Sequence, residues 1–367
     1  MVYHNPIVIG SGIIGSSVVY HLSRLKYAVK WFDPMPHAWF STSRAAGLIL
    51  HGSQKNAPIS LFARQTIRDI QNLETQLDEN IGFNQCGSLS FHKNKYPSNT
   101  YSIDISPFQT TYLPPNIYYQ EADGFVDPIV LAGAYKRATP NCSLLPQAVD
   151  ALLMEQNKVI GVKSNGEDFI GDVIDCTGSW LGDLAIQQNI INHKPYLPVR
   201  SHYYHCKYGS HTKEVPALLM QGLYIRHNNN NNYIIGIREK ESYFYDKSLP
   251  NGEEALKYIK TDNRDAILIE NYDMLGKIFS NLDELQITDY TAGFSNYTPD
   301  GHYLIGKICD GLYWAGGDCG SGISSAGGIG KMIAEKKYMQ TLDPLRFKNI
   351  GEERLITDIL ASRANKC

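Results

Sequence analysis

The 367-residue chain has no excess charge of either sign: 34 Lys and Arg stand against 37 Asp and Glu, a formal net charge of −3. Nucleic acids and anionic membranes select clustered base, so neither is expected as a partner, and a small molecule is. Paired cysteines are also missing. The seven cysteines, at positions 86, 142, 176, 206, 309, 319 and 367, are odd in number and scattered, with no C-x-x-C pair and no tight His/Cys grouping. That spacing argues against a metal site and a disulfide framework, and leaves reduced thiols in a cytoplasmic protein as the expectation. No run reaches the ~18 uncharged apolar residues of a spanning helix. The apolar stretch from Pro6 to Leu22 is interrupted by three glycines and lacks a basic leader and a small-residue cleavage site, so it does not read as a signal peptide. Internal repeats and a clean linker are absent, and any domains must be woven from discontinuous segments.

Hydrophobic residues make up 43% of the chain, enough for one large core or two interleaved domains. Pro6 to Ile9 reads as a short buried strand, Ile13 to Leu25 as a helix with Ile14, Val18, Leu22 and Leu25 on one face, and Val29 to Phe32 as a second strand. A helix is expected from Pro58 to Leu77 and another from Val130 to Ala138, with a strand at 87–91. Strand patterns return at 148–155, 159–162 and 172–176. Val199 to Lys207 and Leu223 to Arg238 alternate as half-buried strands, the second interrupted by five asparagines, Asn228 to Asn232, that suit a polar hairpin tip.

Between the first strand and the first helix lies Gly10-Ser11-Gly12-Ile13-Ile14-Gly15, and Asp33 follows eighteen positions after Gly15, at the end of the next strand. A bare G-x-G-x-x-G is a weak signal, but strand, glycine turn, helix and acid in this order form a dinucleotide cradle. Gly10 permits the tight turn, Gly12 the approach of a pyrophosphate, and Gly15 close packing of helix on strand, while the helix N-terminus offers unpaired N–H groups. Asp33 can accept from a ribose diol and disfavours a 2′-phosphate, which points to FAD or NAD rather than NADP.

Further motifs appear in a fixed order: Ser41-Thr42-Ser43-Arg44-Ala45-Ala46-Gly47, Asp123 to Pro128, Asp175-Cys176-Thr177-Gly178-Ser179-Trp180, Gly293 to Gly306, and Leu312 to Ile323. With the N-terminal βαβ unit they resemble, over nearly the whole chain, the D-amino-acid oxidase superfamily of flavoenzymes, including the glycine oxidase, sarcosine oxidase and D-arginine dehydrogenase types. The resemblance implies an α/β fold, with a Rossmann-like FAD-binding domain (1–82, 141–190 and 298–350) interleaved with an α+β substrate domain on a mostly antiparallel sheet (83–140 and 191–297), and a tail at 351–367. It assigns Ser41, Thr42, Arg44, Ala45, Ala46 and Gly47 to pyrophosphate and flavin, Val149 to the adenine, Thr177 and Gly178 to a second nucleotide-facing turn, and Cys319, Gly320, Ser321, Gly322 and Ile323 to the isoalloxazine ring. The 316–322 stretch precedes a small-residue helix, so its N–H groups are expected to point outward and to stabilise negative charge on a reduced flavin.

The substrate site departs from the relatives. Ser295 stands where amino-acid oxidising relatives carry a carboxylate-binding arginine, Leu48 where the D-arginine dehydrogenase type has histidine, and Gly293 where sarcosine oxidase has its flavin-linking cysteine, so FAD is expected to be noncovalent. Arg200, His202 and Tyr204 share one strand face and Tyr224 and Arg226 another. Arg200 and Arg226 are candidate carboxylate or phosphate clamps, His51 and His202 candidate bases, and Tyr224, Ser295 and Tyr297 candidate pocket residues, while Asp300 reads as a turn cap. The expected activity is oxidation of a C–N bond in an amino acid, N-methyl amino acid or related amine to an imine, with oxygen or another acceptor reoxidising the flavin. A flavin-dependent 2-hydroxy-acid or specialised-pathway amine dehydrogenase, or a non-catalytic flavin-binding subunit, are the alternatives.

Overall fold

The computed structural model describes residues 2–51, 57–91, 108, 117–209, 214–220, 222–229, 232–237, 249–250, 252–259 and 271–365. Its first strand, β1 (Ile7–Ile9), leads through the glycine turn into helix α1 (Ile13–Arg24) and on to β2 (Lys30–Phe32). There follow β3 (Leu48–Ile49), α2 (Ala57–Leu77), β4 (Ser88–Phe91), β5 (Ile117–Gln120), β6 (Gly124–Phe125), α3 (Pro128–Arg137) and β7 (Ser143–Leu145). An antiparallel meander, β8 (Ala151–Glu155), β9 (Lys158–Ser164) and β10 (Glu167–Ile170), precedes β11 (Val173–Asp175). Next come β12 (Leu197–Tyr208), β13 (Ala217–Met220), β14 (Leu223–Asn229), β15 (Asn232–Ile237) and β16 (Leu285–Tyr297), then β17 (Leu304–Cys309), β18 (Leu312–Gly316) and a helix over Gly322–Glu335.

Two large sheets carry the fold, and they are the expected pair. The first has the order β17-β18-β11-β1-β2-β7, parallel except for its β17 edge. Its strands are apolar on both sides, as a sheet covered on both faces requires: Ile7 and Ile9 enter one core cluster with Leu312 and Trp314, while Val8 enters another with Val18, Leu22 and Ile329. Burying each such side chain is worth about 1.5–3 kcal/mol. The second sheet has the order β16-β12-β15-β14-β13-β4-β5 and is antiparallel except for the β13–β4 pair. Leu223, Ile225, Tyr204, Ile235 and Ile237 cover one of its faces with a third core cluster.

Local chemistry sets the boundaries. Asp127 caps α3 by accepting from the Ile129 and Val130 amides at 2.8 and 3.1 Å, with Pro128 in the first turn, a device worth about 1 kcal/mol. The Gly322–Glu335 helix crosses α1 and α2 at close range. A Cβ at Gly330 would lie 2.3 Å from Ser17 Oγ, and one at Gly328 2.3 Å from Phe62 Cα. The Leu223 to Arg238 run is two paired strands, β14 and β15, joined at the asparagines; residues 230, 231 and 238 lie outside the described residues, as do most of 96–116. The 351–367 tail is helical over Glu352–Asn365, with Leu355 and Ile359 in the first core cluster. No helix among the described residues is long and apolar enough to cross a membrane.

Candidate active site

The parallel sheet reverses direction at β1: the chain moves from β1 to β2 and β7 on one side and to β11 and β18 on the other. A crevice opens outside the strand ends at such a switch point, and here a cleft of about 2130 Å³ runs from it to the second sheet. Gly10 turns at φ +100°, where a Cβ would sit 2.5 Å from Cys176 O. At Gly15 a Cβ would lie 2.0 Å from Gly10 O, so this glycine packs helix on strand and does not line the cleft. Gly12 caps α1 without a side chain, and Thr42 supplies the missing acceptor from across the cleft, taking the Ile13 amide on Oγ1 at 3.0 Å. Asp33 grips the loop through its Oδ2, which accepts from Ser11 N at 2.6 Å and Ser11 Oγ at 2.8 Å, while Met35 N donates to Oδ1.

Every nucleotide residue expected from the sequence lines this cleft except Gly15: Gly10, Gly12, Ile14, Asp33, Ser41, Thr42, Arg44, Ala45, Ala46, Gly47, Val149, Thr177, Gly178 and Cys319 to Ile323. Arg44 is a built-in cation, donating to the Trp39 and Phe40 carbonyls at 2.7 and 2.9 Å and lying over both rings. Burial lowers its pKa. Thr177 is held by Asp175, whose Oδ1 accepts from its amide and hydroxyl; burial raises the Asp175 pKa.

The loop before the Gly322–Glu335 helix departs from expectation. Its amides turn inward: Cys319 N donates to Asn296 O at 2.9 Å and Ser321 N to Asp318 O at 2.8 Å, while the Gly320 and Gly322 amides help hold down the pKa of the Asp318 carboxyl, which burial raises. The acceptors of the Cys319 and Ser321 amides are backbone carbonyls, those of Asn296 and Asp318, outside the 319–323 stretch that reads as a helix start. Asn296 stitches three turns together by also donating Nδ2 to Gly178 O at 2.6 Å and its amide to Asp318 Oδ1 at 3.1 Å. Asn296, Asp318 and Ser324, which accepts the Leu50 amide at 3.0 Å, all line the cleft, and none was singled out from the sequence.

The strand register sorts the substrate candidates. Val199 lies opposite Ser295, Ser201 opposite Gly293 and Tyr224 opposite Gly236, so Ser295, Tyr203, Tyr224 and Tyr297 point to the cleft side of the sheet. Gly236 leaves room for the Tyr224 ring, since a Cβ there would lie 2.0 Å from Tyr224 Cε1. Arg200 and His202 lie opposite Phe294 and Ala292 on the reverse face, and border the cleft only from there. As a clamp beside Tyr224, Arg200 is on the wrong side. Arg226 shares the Tyr224 face but does not line the cleft: Nε donates to Ala46 O at 2.6 Å, the guanidinium stacks 4.4 Å over Phe125, and Nη1 turns to His227 O. His51 is also outside the lining, its amide on Asp123 and its ring hydrogen-bonded by Arg64. Burial, then Arg64, lowers its pKa. Asp300 accepts from Thr298 Oγ1 and His302 N and pairs with Arg346, as a turn cap should.

A family model described as FAD dependent oxidoreductase matches residues 7–336. The chain belongs to that family. The glycine cradle and the Arg44-lined cleft fit FAD, its cofactor. Among solved structures the fold is similar to L-proline dehydrogenase from P. horikoshii, at a TM-score of 0.79 and 20% identity over 94% of this chain and 98% of that one. It is also similar to glycine oxidase from Geobacillus kaustophilus, at a TM-score of 0.72 and 17% identity over 95% and 99%. Human mitochondrial dimethylglycine dehydrogenase is 23% identical over 366 residues, covering 90% of this chain and 42% of that protein. The chain thus spans less than half the length of this curated relative.

Proposed function

We propose that this FAD-dependent oxidoreductase oxidises a C–N bond of an amino acid, N-methyl amino acid or related amine to an imine, which water then hydrolyses. One observation carries the choice of an amine. The cleft side of the seven-stranded sheet offers Tyr203, Tyr224, Ser295 and Tyr297, and neither imidazole nor carboxylate stands among the described cleft-lining residues of that face. A 2-hydroxy acid needs a base for its O–H, whereas a neutral amine gives up hydride without one. FAD, when bound, supplies the hydride acceptor at N5. The protein's own part is to hold and orient: Gly10, Gly12, Ile14 and Asp33 for the dinucleotide, Thr42 and Arg44 for pyrophosphate and ring, and residues 319–323 along the ring. Glycine at 293 supports a noncovalent flavin. Segments 1–82, 141–190 and 298–350 act as the FAD-binding domain and 83–140 and 191–297 as the substrate domain. A substrate carboxylate, if present, would meet Tyr224 and Ser295 on this face of the sheet rather than an arginine.

Anaerobic mixing of the yellow protein with a panel of amino acids, N-methyl amino acids, cyclic and secondary amines and 2-hydroxy acids tests this by bleaching of the flavin band. Amines should bleach it. Bleaching by hydroxy acids alone would overturn the reading in favour of the hydroxy-acid alternative, and reduction by no donor would favour a non-catalytic flavin subunit.

A further inference from the structure

Backbone amides surround one carboxylate at the end of the cleft lined by residues 318–323. Asn296 N donates to Asp318 Oδ1 at 3.1 Å, and the neighbouring amides of Gly320, Gly322 and Asp318 itself favour its charged form. Asp318 Oδ2 is also the group a Cβ at Gly322 would meet, at 3.1 Å. A carboxylate surrounded by donors is an acceptor-only group: a proton placed on it would face N–H groups, so the hydrogen-bond arrangement selects the anion. Burial pushes this carboxyl above its usual range, and the four donors work against that rise. The anion sits at the start of the Gly322–Glu335 helix, whose partial positive charge it opposes.

We propose that Asp318 is a redox-tuning residue: its carboxylate, held by the 318–322 loop and Asn296, cancels the field of the helix start and keeps the bound flavin hard to reduce. The inference rests on the reading that residues 319–323 border the isoalloxazine ring. Without Asp318, the loop amides and the helix start would present positive potential to the N1/C2=O side, where negative charge gathers on reduction. With it, that side of the ring faces a fixed negative charge backed by donors already in use.

The test uses the holoenzyme and three substitutions. Asp318→Asn removes the charge at constant volume, Asp318→Ser keeps an oxygen able to cap the helix, and Asp318→Glu keeps the charge. Midpoint potential is read by dye-coupled reduction, and sulfite affinity, which rises as the ring becomes electron-poor, by loss of the flavin band. Asn and Ser variants should favour the reduced flavin at least tenfold at a given ambient potential, ~30 mV for a two-electron couple, and bind sulfite at least tenfold more tightly, with Glu close to wild type. Unchanged potential and sulfite affinity in yellow, folded Asn and Ser variants would overturn the proposal. So would loss of flavin from both, which would assign Asp318 to loop structure alone. A wild-type protein that takes up no FAD is a different failure, that of the cofactor reading itself.

Discussion

The two sheets use glycine for different ends, and the difference separates cofactor holding from substrate choice. At the turn and helix that follow the parallel sheet's first strand, Gly10 and Gly15 let backbone meet backbone: their Cβ positions are blocked by Cys176 O and by Gly10 O. In the seven-stranded sheet, Gly236 makes room for a side chain, the Tyr224 ring. The first kind of space is dictated by strand–turn–helix geometry that any bound dinucleotide needs, and it is repeated wherever such a cradle occurs. The second kind belongs to one tyrosine and whatever lies under it.

Substitutions at these glycines should therefore fail in different ways. Gly15→Ala, with its methyl 2.0 Å from Gly10 O, carries an overpacking cost of about 1–3 kcal/mol, and the protein should purify colourless, with FAD affinity down roughly 100-fold by fluorescence titration. Gly236→Ala should leave the protein yellow while displacing the Tyr224 ring, with kcat/KM down about 100-fold, as misplacement by ~1 Å can cause. Equal loss of flavin in both would erase the distinction. Tyr224→Phe sharpens it: flavin content and melting temperature hold, and kcat/KM falls roughly tenfold, the scale of one hydrogen bond. Thr42→Val probes the cofactor side more gently. It strands the Ile13 amide, and about 1 kcal/mol of stability and a several-fold loss in FAD affinity should follow, by thermal melting with and without added FAD.

The smallest effect expected lies at the edge of the cofactor side, in the Asp300–Arg346 pair. Burial works to raise the Asp300 pKa, but the Arg346 hydrogen bond and charge with the His302 amide outweigh it, and the net shift is downward. A carboxyl lowered in the folded state adds stability above its unfolded pKa of about 3.9, and that stability is lost as pH falls through the folded value. Arg346→Gln should flatten the melting temperature between pH 5 and about pH 3 relative to wild type. Parallel acid curves for the two proteins would remove the pair from the account of acid stability.

Much of the parallel sheet and its glycine turn was legible from the sequence, because each part has a local signature. The apolar runs of β1 and β2, the spacing of three glycines and the acid at the second strand's end are all read within 33 residues. What was missed there is non-local: Thr42 capping a helix that starts 29 residues earlier, and Asp318 and Asn296 turning the 319–322 amides inward. In the seven-stranded sheet, alternation correctly grouped Arg200 with His202 and Tyr224 with Arg226. It could not say which group faces the cleft, because period two labels two faces without naming either. The helix and strand boundaries of α1, α2 and β12 came within two residues of those expected, since hydrophobic period is a property of the chain itself.

By itself, the amino-acid sequence pointed to a strand, glycine turn, helix and acid of the dinucleotide-cradle type, marked the first strand as buried, and showed a charge balance that suits a small ligand. Local sterics and hydrophobic period are encoded within a few residues, so no partner is needed to read them. Tertiary structure alone decided that Tyr224 and Ser295 share one face of the sheet while Arg200 stands on the other, that Arg226 is occupied by Ala46 O and Phe125, and that the Asp318 carboxylate accepts from Asn296 ahead of the Gly322–Glu335 helix. Those outcomes depend on cross-strand register and on contacts between segments tens to hundreds of residues apart, which no local pattern specifies.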